Sequence, residues 1–176
     1  DEITLREKPT SAQLYVTGDD YFKLSVNGTP LVQGPEGGYD FSYPYYALEI
    51  SKALQAGTNC LASHVFYQGL RNWGSADNRS GFILRLEVTY ADGTTENFGT
   101  DENWRVYPLE AFPGEETIGY STQFLEHIDM RRMQAGWDQI GFDEGTWVTP
   151  VVGRQDHVFI EQVTPPLQRY AVQPKI

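Results

Sequence analysis

The sequence predicts an all-β protein, an antiparallel β-sandwich of jelly-roll type. Short runs rich in β-branched and aromatic residues alternate between apolar and polar positions with a period of two. Turn dipeptides separate these runs at intervals of about 8–12 residues. Helical periodicity is almost absent. This combination is typical of sandwiches and jelly rolls.

The first half of the chain supplies a hairpin and most of the predicted core. Residues 21–26 alternate in polarity, which predicts a half-buried strand. Asn27-Gly28 follows at once and predicts a tight turn, because both central residues of a type I′ turn need positive φ. Ser51 is expected to cap one helical turn that ends before Gly57. The strands predicted in this half are 11–17, 21–26, 29–33, 45–50 and 59–67, the last of them buried on both faces.

The second half contains the longest alternating run. Over residues 81–90 the apolar side chains Phe82, Leu84 and Leu86 share one face, and Asp92-Gly93 then predicts a hairpin into 94–98. Two segments without a period, 34–44 and 68–80, are predicted loops. The remaining predicted strands are 103–107, 123–129, 147–152 and 158–163.

Composition excludes several classes of function. The chain has 176 residues, with 13 Lys plus Arg against 24 Asp plus Glu, for a net charge of −11. Nucleic acid is not an expected partner, because phosphate binding needs a basic surface. One cysteine cannot form an intramolecular disulfide or a Cys-rich zinc site. No apolar run approaches the ~20 residues of a membrane span. The compartment stays open between cytoplasmic and secreted.

The domain prediction is one module with an exit segment. Residues 1–163 are predicted to form the β-sandwich, and residues 164–176 to lead toward a following domain. Thr164-Pro165-Pro166 and the later Pro174 would stiffen that segment. The chain also begins with Asp1 and not with methionine. Together these features lead us to expect a module of a longer protein.

The two predicted loops carry the strongest hint of binding. Sugars present apolar C–H faces that stack on aromatic rings, and hydroxyl groups that need polar partners. The 34–44 loop offers Tyr39 and Phe41 besides the tyrosines of its exit. At one end of a sandwich, the two loops would form a shallow pocket. The alternative is that these aromatic side chains pack the sandwich edge or face a neighbouring domain. The candidate carbohydrate-binding residues are Asp40, Tyr43, Tyr45, Asn72, Trp73, Asp77, Asn78 and Arg79.

Calcium is the one cofactor that the residues leave open. Asp77 and Asn78 are adjacent oxygen donors in a loop, but their spacing is not that of an EF-hand. The alternative role of the two residues is to build the turn before Gly81. The three histidines show no metal-ligand spacing, so no other metal site is predicted.

Catalytic residues are not predicted. A glycosidase needs two carboxylates at a defined separation. The acidic residues between 129 and 144 lie close in sequence, but turns and an ion pair between Asp129 and Arg131 explain them. His64 and Cys60 fall in the 59–67 run and are expected to be core residues.

An ordered set of motifs resembles a known family. His64-Val65-Phe66-Tyr67-Gln68-Gly69-Leu70 precedes Asn72-Trp73 and the run Asp77-Asn78-Arg79-Ser80-Gly81-Phe82. Further on come Asp129-Met130-Arg131, Gly136-Trp137 and Phe142-Asp143 with Trp147. This order resembles the N-terminal β-sandwich domain of bacterial α-L-rhamnosidases, over roughly residues 12–167. The resemblance implies a non-catalytic domain, because catalysis in that family belongs to a separate helical barrel.

Three functions follow as hypotheses. The first is an accessory module of an α-L-rhamnosidase-like glycoside hydrolase, which braces the catalytic domain and binds L-rhamnose-containing carbohydrate. Its partners would be the other domains of the parent glycosidase. The second is a stand-alone lectin-like sugar-binding module. The third, a small jelly-roll enzyme, has the least support, since no catalytic constellation is evident.

Overall fold

A computed structural model gives the fold. It describes residues 1–39, 41–69, 80–113, 116–119, 123–153, 157–170 and 172–173. The described residues form a four-stranded and a five-stranded sheet, which pack face to face, and a separate two-stranded sheet. All their regular structure apart from two short 3-10 helices is β. The predicted all-β sandwich is confirmed. In the described part of the chain, no helix has the length and apolar character needed to cross a membrane.

The smaller sheet has four strands, and all their pairings are antiparallel. Asn27 and Gly28 join two of its strands with φ values of 50° and 73°, as the predicted type I′ turn requires. Its first strand, at the amino terminus, was not predicted, because four residues are too few to show a period. In spatial order the strands are β1 (Glu2–Leu5), β6 (Gly57–Phe66), β3 (Tyr21–Val26) and β4 (Thr29–Gly34).

The larger sheet has five strands. Asp92-Gly93 lies in the hairpin between two of its strands, Gly81–Thr89 and Thr95–Gly99, as predicted. The predicted antiparallel pairing holds in this sheet except at one edge, where the last strand pairs in parallel with its neighbour. In spatial order the strands are β11 (Phe159–Glu161), β5 (Tyr43–Glu49), β2 (Ser11–Asp19), β7 (Gly81–Thr89) and β8 (Thr95–Gly99).

The core lies between the two sheets. Leu14, Leu86 and Val88 are fully buried there, and Phe22 packs edge-on against Tyr46 and Phe82. On β7 the inward residues are those that the alternation predicted. Alternation therefore identified the core face correctly wherever a strand has one face in the core and the other outside.

Several predicted elements are shorter or absent. Residues 103–107 and 147–152 form no strands; a single bridge joins Val106 and Val148. Of the predicted strand 123–129, only Gln123–Phe124 (β10) pairs, with Thr117–Ile118 (β9). The predicted helical turn is the 3-10 helix Ser51–Ala53, but Ser51 does not cap it. The segments between β8 and the last strand of the larger sheet are held by turns and loop contacts, which do not need strand periodicity.

Cys60 and Trp104 are buried core residues, whereas His64 is only partly buried. Cys60 is buried, and this burial raises the pKa of its thiol, as expected for a small core residue. Trp104 is buried against Phe82 and donates its indole N–H to the carbonyl of Gly99 at 3.0 Å. His64 is only half buried, with its ring 5.4 Å from that of Phe112. Its pKa is lowered first by burial and then by the nearby Lys23 charge.

Candidate functional site

Both predicted loops leave the sandwich at the same end. The 34–44 loop runs from Gly34 at the end of β4 to Tyr43 at the start of β5, and the 68–80 loop runs from β6 to Gly81 on β7. In the ladders, Gly34 pairs with Phe22, and Gly81 pairs with Asp19. The short β2–β3 connection holds these strand ends together. We call this region the loop end, and the opposite region, with the Asn27-Gly28 and Asp92-Gly93 turns, the hairpin end.

Tyr43 stands at the loop end in a polar setting. Its side chain is only 5% exposed, and its hydroxyl donates to Asp19 Oδ2 at 3.3 Å. The His157 ring covers it with a centroid separation of 4.0 Å, and Phe159 packs edge-on at 6.5 Å. As a binding residue, Tyr43 would therefore act through its rim and hydroxyl rather than through an open ring face.

Tyr45 lies on the same strand face, two residues further into the sheet. Its ring lies 6.1 Å from that of Tyr15 on the neighbouring strand β2, and it is half buried. The alternation of β5 thus places both predicted tyrosines on the outer face of the larger sheet. The other predicted site residues lie outside the described residues: Asp40, Asn72, Trp73, Asp77, Asn78 and Arg79.

Two acidic residues close the β2–β3 connection. Asp19 and Asp20 are both buried, at 3% and 4% exposure. Asp20 Oδ2 accepts the backbone N–H of Gln68 at 2.7 Å, which fixes the start of the 68–80 loop. Asp20 Oδ1 is buried without a hydrogen-bond donor from the residues that the structure describes. A buried carboxylate oxygen in this state is costly, so it favours a bound water, hydroxyl or cation.

A groove of about 920 Å³ adjoins the loop end. Trp147 packs there between Tyr107 and Phe142, at 5.7 Å from each ring, and donates its indole N–H to Gln134 Oε1 at 2.7 Å. Trp137 and Trp147 are both half buried and face this groove. The lining includes Asp19, Tyr43, Trp104, Trp137, Trp147 and His157.

Tyr39 and Phe41 could not be distinguished by sequence from the other aromatic residues of their loop. Their rings are stacked on one another and exposed, whereas Tyr43 and Tyr45 are at least half covered. The i, i+2 spacing of two aromatic residues after Gly37-Gly38 was the signal present in the sequence.

The acidic residues near position 130 serve local structure. Asp129 accepts the backbone N–H of Arg131 at 3.1 Å and so caps the 3-10 helix Met130–Arg132. The Arg131 guanidinium also donates to both Asp129 oxygens at 2.8 Å, which holds the pKa of that carboxyl below its usual range. The predicted ion pair is confirmed, but it lies in a turn and not along a strand. Asp143 likewise accepts the backbone N–H of Gly145 at 2.9 Å.

Metal-binding geometry is not evident in the described ranges, where no three His, Cys, Asp or Glu side chains cluster closely enough to hold an ion. Asp77 and Asn78, the residues of the calcium prediction, fall within the undescribed segment 70–79. Calcium therefore remains a prediction.

The fold and its loop end define a two-sheet β-sandwich module with two connecting loops at one end. A family profile described as the alpha-L-rhamnosidase N-terminal domain matches residues 7–171. The chain belongs to this family, and the resemblance drawn from its motifs is confirmed.

Individual relatives agree with the family match. An α-L-rhamnosidase of Streptomyces avermitilis is 28% identical over 154 residues, which cover 81% of this chain and 14% of that protein. The crystal structure of the S. avermitilis enzyme complexed with L-rhamnose matches with a TM-score of 0.73 and 27% identity, over 94% of this chain and 17% of that chain. Native α-L-rhamnosidase from Aspergillus terreus matches with a TM-score of 0.76 and 23% identity, over 94% and 20%. This chain thus spans about one sixth of the length of these proteins.

Proposed function

We propose that this chain is a non-catalytic accessory module of an α-L-rhamnosidase and that its loop end binds rhamnose-containing carbohydrate. The observation that carries the proposal is the convergence of the two aromatic and polar loops at one end of the sandwich. Tyr43, Asp19 and His157 provide polar groups at the base of this end. One relative has been crystallised as a complex with L-rhamnose, which supports a sugar of this class.

The chemistry of the ligand fits this surface. L-Rhamnose is a neutral 6-deoxyhexose, so it has a methyl group and apolar C–H faces besides its hydroxyl groups. Aromatic ring faces carry partial negative charge and attract C–H groups that oxygen neighbours have polarised. A net charge of −11 favours a neutral sugar over a uronic acid.

The non-catalytic assignment rests on the roles of the acidic residues. Asp129 and Asp143 hold local turns through hydrogen bonds to backbone N–H groups. Glycoside hydrolysis instead needs two carboxyl groups flanking the scissile bond, one of them with a raised pKa. We expect no release of nitrophenol from nitrophenyl α-L-rhamnoside by this chain. Release that survives purification would contradict the assignment.

Calcium belongs to the same proposal as a second ligand of the loop end. Asp20 Oδ1 is an acceptor without a described donor at the base of the 68–80 loop, which contains Asp77 and Asn78. Calcium takes six to eight oxygen ligands from carboxylates, amides, carbonyls and hydroxyls. An ion here would fix the loop and leave coordination positions for sugar hydroxyls.

The test is a calorimetric titration of L-rhamnose, with calcium and with a chelator. We expect saturable millimolar binding by the natural chain and loss of binding in Trp73→Ala, with the fold of both chains checked by circular dichroism. Trp73→Phe is the matched control, since a smaller ring should retain part of the affinity. Absence of saturation at millimolar sugar would contradict both carbohydrate binding and the lectin-like alternative. Binding unaffected by Trp73→Ala would instead place the sugar elsewhere.

The bracing role has separate support from an exposed apolar surface. Val151 is 98% and Val163 is 90% exposed, and β11 between them shows its side chains to solvent. Several large apolar side chains exposed along one stretch of the chain favour an interaction site. We propose that the partner is a neighbouring domain of the parent protein. The reason is that this chain matches only a small part of the length of its relatives. We call this surface the C-terminal strip: Val151, Val152, Val158, Ile160, Val163 and Leu167.

Substitution in the C-terminal strip tests the bracing role. Val163→Ser in the chain alone should change its free energy of unfolding by less than about 0.5 kcal/mol, because the side chain is already in water. In the complete rhamnosidase the same change should lower the melting temperature of the domain assembly. Ile118→Ser, at an exposed apolar residue outside the strip, is the control. Equal effects of the two substitutions in the complete protein would contradict docking at the strip.

A further inference from the structure

The loop end carries a pair of aromatic rings whose exposure the sandwich itself does not explain. Tyr39 is 66% and Phe41 is 69% exposed. Their ring centroids lie 5.2 Å apart with an interplanar angle of 7°, so the rings are nearly parallel. Most other ring pairs in the described ranges are tilted or edge-on and at least partly covered. Each ring therefore leaves most of its apolar surface in water, where contact with another surface would be favourable.

The backbone holds the pair in a closed turn. Tyr39 N–H donates to the Ser42 carbonyl at 3.0 Å, and Ser42 N–H donates back to the Tyr39 carbonyl at 3.0 Å. Gly38 packs so closely on Pro44 that a Cβ there would lie 2.7 Å from its ring carbon Cδ. The absence of a side chain at Gly38 thus allows the turn to pack against the start of β5.

The base of the loop is also fixed to the far edge of the sheet. Glu36 N–H donates to Gln162 Oε1 at 2.9 Å, and the Thr164 hydroxyl donates to the Glu36 carboxylate. Tyr43 N–H donates to the carbonyl of Val158 at 2.8 Å. A loop anchored at both of its ends loses little further conformational entropy when a ligand binds.

The size and chemistry of the pair indicate its ligand. Two rings offer far less than the ~800 Å² per partner of a stable protein interface. A flat aromatic surface does match one face of a pyranose, whose polarised C–H groups are attracted to the ring faces. The acidic chain disfavours an anionic sugar. The chain belongs to the α-L-rhamnosidase N-terminal domain family, and the sugar in that name, rhamnose, is a neutral deoxyhexose.

We infer that Tyr39 and Phe41 form a stacking subsite for a neutral pyranose unit at the loop end. The subsite rests on the carbohydrate-binding function proposed above and adds to it a specific surface, distinct from the 68–80 loop. The planarity of the rings, and not only their apolar character, is the property that it requires.

Two double variants test the subsite by titration with L-rhamnose. Y39A/F41A removes both rings, and Y39L/F41L keeps apolar bulk without a flat face. Both should raise the Kd about tenfold, which corresponds to the loss of one or two stacked contacts. Tyr39→Phe and Tyr170→Ala are the controls: the first keeps the ring, and the second removes an exposed ring elsewhere. Melting curves of all variants should match that of the natural chain.

The outcomes separate the two proposals. A natural chain that binds L-rhamnose while both double variants bind about tenfold more weakly supports the subsite. Equal binding by the natural chain and Y39A/F41A overturns the subsite and leaves carbohydrate binding at the loop end intact. Weak binding by Y39A/F41A with full binding by Y39L/F41L also overturns it, because apolar bulk alone would then suffice. No binding by the natural chain overturns the proposed function and the subsite together.

Discussion

Leu86→Ala is expected to lower the free energy of unfolding by about 3 kcal/mol. Leu86 is fully buried on β7, opposite Leu14 of β2 in the middle of the larger sheet. Its removal takes apolar surface out of the core and leaves a cavity between sheets that cannot close without shifting both. Urea denaturation followed by tryptophan fluorescence measures the change.

Leu167→Ala is the matched control for this prediction. The substitution is chemically identical, but Leu167 is exposed in the C-terminal strip. Its effect on the chain alone should stay below about 0.5 kcal/mol. Comparable losses for the two variants would mean that the space between the sheets is not the main core.

Asn59→Ala is expected to destabilise the hairpin end by about 2–4 kcal/mol. Asn59 is fully buried, and its side chain makes four hydrogen bonds. Its Oδ1 accepts from Gln55 N–H at 2.9 Å and from Asn27 Nδ2 at 3.0 Å. Its Nδ2 donates to the carbonyls of Gln55 at 2.8 Å and Gly57 at 3.0 Å. Alanine would remove all four hydrogen bonds at once and leave their partly buried partners to find others beside a fully buried position, and that is what makes the loss large.

Two further substitutions sharpen this prediction. Asn59→Asp keeps the accepting oxygen but sets a carboxylate oxygen against two carbonyls, so its loss should be at least as large as that of alanine. Asn97→Ala, on the exposed side of β8, should change the free energy of unfolding by less than about 0.5 kcal/mol. Thermal melting of the three variants measures the differences. A loss below about 1 kcal/mol for Asn59→Ala would contradict the role of the amide as the centre of this network.

The core around Leu86 and the hydrogen bonds of Asn59 show which parts of the fold could be predicted from the sequence. The inward face of β7 and the Asn27-Gly28 turn follow from alternation and from backbone preference, which are local properties. The hydrogen bonds of Asn59 join residues of the β3–β4 turn, the 3-10 helix region and β6. No local pattern signals such a network, because its partners are brought together only by the sheet.

At the loop end too, the sequence could predict some features and not others. The grouping of the 34–44 and 68–80 loops followed from a sandwich topology, and the strand ends confirm that they share one end. The covering of Tyr43 by His157 could not be predicted, because it depends on the parallel addition of β11 to the edge of the sheet. Val106 and Val148 lie in runs with the composition of strands, but among the described residues these runs form only the single bridge between the two valines.

Carbohydrate binding at the loop end of the sandwich, as proposed here, can be followed residue by residue. The measurement is of amide chemical shifts while L-rhamnose is added to the nitrogen-15-labelled chain. We expect concentration-dependent shifts at Gly37, Gly38, Tyr43 and Gly81, with Gly28, Gly57 and Gly93 at the hairpin end unchanged. Shifts confined to the hairpin end, or none at saturating sugar, would contradict it.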